Sequence, residues 1–68
     1  MNEKDREIFA RNLTHYMNRD RVNGVTLAKY MNVSSATISD WMNGKKMPRV
    51  DKIKSLSNYF RIDMSDLT

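Results

Sequence analysis

Apolar side chains recur along this 68-residue chain at helical spacing, and no stretch shows the period-two alternation of a half-buried strand. Ile8, Phe9, Leu13, Tyr16 and Met17 are expected to form one buried stripe, which predicts a first helix from Glu3 to about Arg19. Asn2 is placed to cap it, with Asp5 three residues on. The polar stretch Asn18-Arg19-Asp20-Arg21 ends it. A second helix, about Gly24 to Met31, is expected to bury Leu27, Ala28 and Met31. Asn32-Val33-Ser34 reads as a turn, and Ser34 as the N-cap of a third helix from Ser35 to Met42 with Ile38, Trp41 and Met42 apolar. Asn43-Gly44 stops that helix, since both residue types tolerate a left-handed backbone. Beyond a basic loop and Pro48, a fourth helix from about Val50 to Phe60 is expected to bury Val50, Ile53, Leu56 and Phe60. Asp63-Met64-Ser65-Asp66 looks like the capped start of a fifth, with Ile62 and Leu67 apolar around it. The expected architecture is all-α, a bundle of about five short helices around one core.

Length and composition narrow the picture. A chain of this size makes one domain and buries only about 60% of its unfolded surface. It has no cysteine, hence neither disulfides nor thiolate metal sites. Its longest apolar run is three residues, and its first seven residues are mostly charged. Neither a membrane span nor a signal peptide is expected, and the expected location is cytoplasmic, with the nucleoid.

Charge changes the picture more. The net +4 is uneven: residues 45–54 hold Lys45, Lys46, Arg49, Lys52 and Lys54 against Asp51 alone. Such a cluster is either a solvated face or a phosphate-facing patch, and charge does not choose between them.

The spacing of the second and third helices is more telling. Two helices of about eight residues joined by a turn of about three, about 24–43 here, have the layout of a helix-turn-helix, whose second member would enter the DNA major groove, or of an ordinary short helical hairpin with the same spacing. Ala28 falls where the two helices approach most closely, Val33 plugs the turn, and Ile38 fixes the third helix from below. The residues Leu27-Ala28, Val33-Ser34, Thr37-Ile38-Ser39, Trp41, Gly44 and Pro48, continued by Phe60, Ile62 and Leu67, resemble the Cro/repressor-type helix-turn-helix domain of phage and bacterial regulators. The resemblance runs over essentially the whole chain. It implies sequence-specific binding of double-stranded operator DNA and control of transcription, most often repression.

Three positions depart from that family, two of them as a pair. Its usual arginine in helix one and glutamate in helix three, an ion pair, correspond to Met17 and Met42. Replacing both partners by matched hydrophobes is often neutral or stabilising, whereas losing one is costly, so the two methionines are expected to touch. The family's glutamine at the start of helix two corresponds to Gly24, whose N–H alone can face a phosphate. Asn23 is the candidate substitute, either as a phosphate contact or as a cap.

Carried over position by position, the resemblance implies base reading by Ser35, Ala36, Thr37, Ser39 and Asp40. It implies phosphate binding by Asn23, Gly24, Asn43, Lys45, Lys46 and Arg49. The reading side chains are short and cannot make the bidentate contacts that dominate the major groove. Ser35 and Ser39 offer single hydrogen bonds, and Ala36 and the Thr37 methyl can pack on thymine methyls. Asp40 can accept from cytosine N4 or pair with a nearby lysine. Affinity should then come largely from the backbone. Lys4, Arg6 and Arg11 on helix one carry a weaker case for phosphate contact, and at least one of Lys52 and Lys54 reads as solvated.

Other chemistry finds little footing. His15 has no partner for a metal, Trp41 and Tyr59 fit core packing better than base stacking, and Ser34 and Ser35 lack a histidine base or a glycine-rich elbow. No enzyme activity, cofactor or small-molecule ligand is expected. The competing reading is a helix-turn-helix that binds a protein, as an antitoxin or antirepressor contact would. Operators of this kind hold two half-sites about 34 Å apart. The chain is therefore expected to act as the N-terminal part of a longer regulator that dimerises on DNA through a region absent here.

Overall fold

Three short polar side chains set where helices begin. In the computed structural model, which describes residues 2–68 and so leaves Met1 outside, α1 runs Glu3–Asp20, α2 Gly24–Met31, α3 Ser35–Met42 and α4 Val50–Phe60. The Asn2 carboxamide oxygen accepts from the Asp5 N–H at 2.8 Å, Asn23 does the same for Thr26 at 2.8 Å, and the Ser34 hydroxyl for Thr37 at 3.1 Å. Each satisfies one of the donors that a helix leaves unpaired at its start. α1, α2 and α4 end on Arg21, Asn32 and Arg61, all in the left-handed region at φ 55–59°. For residues with a Cβ that backbone costs roughly 1–2 kcal/mol each.

The helix-turn-helix packs as its sequence requires. Ala28 of α2 is buried, the half-buried Val33 donates its N–H to the Ala28 carbonyl at 3.1 Å, and Ile38 of α3 is wholly buried. Phe9, Leu13 and Met17 of α1, Trp41 of α3, and Ile53, Leu56 and Phe60 of α4 complete one continuous core. Arg19 crosses from α1 to donate to the Phe60 carbonyl at 2.8 Å. Its hydrogen bond to Asp20 also holds that carboxyl below its ordinary range.

Three expectations need correction. Val50 is 64% exposed, not buried: it is the first residue of α4 and lies past the edge of the core that Ile53 enters one turn later. Ile8 and Tyr16 are only half-buried, while Ala10 of the same helix is buried. The fifth helix is a single 3-10 turn, Met64–Asp66, in which the Asp66 carboxylate accepts from the Asp63 N–H at 3.1 Å. Its purpose is to deliver Leu67, wholly buried, to the core, where the Asn12 amide holds the Leu67 carbonyl at 3.1 Å.

Gly44, just after α3, has φ +71°, and a Cβ there would sit 3.6 Å from the Arg6 carbonyl oxygen. Space permits a methyl but the backbone does not welcome one. Gly44→Ala should cost about 1–2 kcal/mol, read as a lower urea midpoint. An unchanged midpoint would mean that the turn relaxes without cost.

Candidate nucleic-acid interface

α3 presents a short-chained outer face: Ser35, Ala36 and Ser39 are exposed, and Thr37 and Asp40 half-buried. Several polar groups on that face are engaged locally. The Thr37 and Ser34 hydroxyls lie 3.0 Å apart. The Asn43 amide donates to the Ser39 carbonyl at 2.9 Å and to the Ser39 hydroxyl at 3.2 Å. A phosphate contact by Asn43 must therefore draw an N–H away from Ser39. Asp40 lies 3.8 Å from the Lys46 ammonium. That long pair, exposed on its lysine side, holds Lys46 loosely, so Lys46 can exchange a carboxylate for a phosphate at small cost.

The loop after α3 is built from within. The Gly44 N–H donates to the Trp41 carbonyl at 3.4 Å, and the Lys45 and Lys46 N–H groups both donate to the Asp40 carbonyl, at 2.9 and 3.4 Å. The N–H groups of residues 44–46 are thus used internally, and at this turn side chains must supply the attraction for phosphate. Lys45, Lys46 and Arg49 are all exposed, and Arg49 has only a loose 3.8 Å pairing with Asp51. Lys45 and Lys46 are tied through their N–H groups to Asp40 near the end of α3, and Arg49 follows as the residue before α4.

At the start of α2, Asn23 is the cap, and its N–H2 group has no partner among the described residues. Gly24 follows, half-buried, with the unpaired N–H of a first helical turn. Beneath it lies a cleft of about 460 Å³ lined by Thr14, Met17, Asn18, Val22, Asn23, Gly24 and Met42. Met17 and Met42 both line this cleft. A Cβ on Gly24 would stand 4.0 Å from the Met42 sulfur.

Arg6 of helix one, a weaker phosphate candidate from the sequence, has a structural tie that the sequence does not signal. It is half-buried on α1, and its Nε donates to the Gly44 carbonyl at 3.2 Å. A tie across 38 positions leaves no periodic signal in the sequence. The remaining candidates fall outside the cluster. Trp41 is buried in the core, and Tyr59 is half-buried against Tyr30, with ring centroids 4.5 Å apart. His15 packs edge-on against Tyr16 at 4.8 Å. Among the described residues, no group of three or more His, Cys, Asp or Glu is disposed to hold a metal, and no helix is long and apolar enough to cross a membrane.

A helix seated on a buried two-helix support, with an outer face that carries no cation and a cationic loop at its end, defines a helix-turn-helix DNA-binding domain. The helix-turn-helix family model matches residues 23–67, and the chain belongs to that family, in its XRE-type form. No curated protein matches the chain. Among solved structures it is similar to the solution structure of the SOS-response transcriptional repressor LexA from Eubacterium rectale. The two share 36% identity with a TM-score of 0.89, over 94% of this chain and 68% of that one. The chain is accordingly a DNA-binding domain of transcription regulation.

Proposed function

We propose that this domain is a repressor module of the phage type, which seats α3 in the major groove of an operator half-site. In this reading Ser35, Ala36, Thr37, Ser39 and Asp40 meet the bases, while Asn23, Gly24, Asn43, Lys45, Lys46 and Arg49 meet the backbone. The observation that carries it is the division of labour around α3: an outer face without a cation, and exposed Lys45, Lys46 and Arg49 directly after it. The similar LexA structure, titled a transcriptional repressor, supports the choice of repression. Two copies are expected on DNA, over half-sites about one helical turn apart.

Selection of bound duplexes from a random pool tests the base-reading assignment. The wild-type chain should yield a defined half-site, with log affinity falling against log salt more steeply than about −3. Asp40→Ala should relax the preference at one base pair and leave the other positions intact. An unchanged selected sequence would remove Asp40 from the reading face. Absence of salt-dependent DNA binding would favour a protein-docking module instead.

A further inference from the structure

We propose that Arg6 works with both ends of its guanidinium: Nε braces the loop after α3, and the two terminal nitrogens take a DNA backbone phosphate beside Lys45. The inference rests on the reading that α3 lies in the groove, and it adds a contact from α1 to that interface.

Three observations converge on this residue. First, the loop leans on the start of α1. Arg6 Nε holds the Gly44 carbonyl at 3.2 Å, and the Gly44 α-carbon lies so close that an added Cβ would be 3.6 Å from the Arg6 carbonyl oxygen and 3.8 Å from the Ala10 Cβ. Second, the N–H groups of Gly44, Lys45 and Lys46 are turned inward to Trp41 and Asp40. Phosphate binding at this turn therefore needs side-chain donors. Third, the ion pairs among the described residues are Arg19–Asp20, Lys46–Asp40 and Arg49–Asp51, and none of them involves Arg6. Lys46 and Arg49 each have a carboxylate to leave before they meet DNA. Arg6 has none.

The chemistry suits the position. A guanidinium carries five N–H donors in a rigid fork and stays charged at any relevant pH. Spending one on Gly44 leaves four on Nη1 and Nη2, and the bond that braces the loop also fixes their direction. A free surface lysine would lose its rotamer freedom on meeting a phosphate, whereas half-buried Arg6 has already lost part of its own.

Binding of a fluorescein-labelled mixed-sequence duplex, titrated against salt, tests the assignment with Arg6→Gln, Arg6→Lys and the wild-type chain. Circular dichroism first shows that each is folded. Arg6→Gln keeps a donor for Gly44 but no charge, so its log–log salt slope should be shallower by about 0.9. Between about 50 and 200 mM salt it should then lose about 3.5-fold less affinity than wild type. Arg6→Lys should restore the wild-type slope. The brace is read separately: Arg6→Ala should speed hydrogen exchange at the Lys45 and Lys46 amides, and Arg6→Gln less so. Equal slopes for all three binding proteins would overturn the phosphate contact. So would a slope in Arg6→Lys as shallow as in Arg6→Gln, because binding would then follow the brace and not the charge. Wild-type protein without salt-dependent binding would fail the parent reading, an outcome distinct from either.

Discussion

Phe60→Ala should remove about 3–5 kcal/mol of stability, close to the whole reserve of the domain. At 0.05–0.15 kcal/mol per residue, a chain of this length holds only about 3–10 kcal/mol. Phe60 is 1% exposed at the end of α4. Its ring meets Tyr59 edge-on at 5.1 Å and lies 6.1 Å from Tyr16 of α1, while its carbonyl accepts from Arg19. One residue thus closes α1 and α4 together, and a small core cannot collapse around the lost ring without giving up contacts elsewhere. Urea titration followed by circular dichroism should show a variant largely unfolded, or nearly so, in buffer. A loss under about 1 kcal/mol would contradict the packing.

The second large effect falls on binding and spares the fold. Replacing Lys45, Lys46 and Arg49 together by glutamine should flatten the salt slope by about 2.7, from three phosphate contacts at about 0.9 each. Between about 50 and 200 mM salt the wild-type protein would then lose about 40-fold more affinity than the variant. The variant also exposes Asp40 and Asp51 without their partners, which adds repulsion at low salt. All three cations are exposed, so stability should stay within about 0.5 kcal/mol of wild type. A variant with unaltered slope would show that these residues form a solvated face.

The four α-helices and the side-chain caps of the first three were legible because each is specified by neighbours in sequence. Ser34 followed by Thr37, or Asn23 followed by Thr26, is a local chemical instruction that tertiary context had no reason to override. Legibility failed where the deciding neighbour is distant or the polarity misleads. Ser57 is buried at 3% exposure, and only its own hydroxyl, donating to the Lys54 carbonyl at 2.7 Å, makes that tolerable. Val50 fits the apolar period but stands at a helix end, where period and core part company. For the interface, residue type and order were enough to nominate candidates on α3 and its loop. Their internal commitments were not visible: Asn43 to Ser39, the loop amides to Asp40, and Arg6 to Gly44 all depend on how the chain folds back on itself.

Trp41 belongs to the helix proposed to read DNA, yet its indole is 4% exposed on the opposite, core-facing side. The chain has no other tryptophan. Its fluorescence is therefore a built-in gauge of how firmly α3 is seated, insulated from bases that could stack on it. Unfolding should shift the emission to the red in a single transition. Adding duplex should leave the emission wavelength almost unmoved if the helix docks as a rigid body. A spectral change on binding would instead record α3 shifting on its support, seen from beneath.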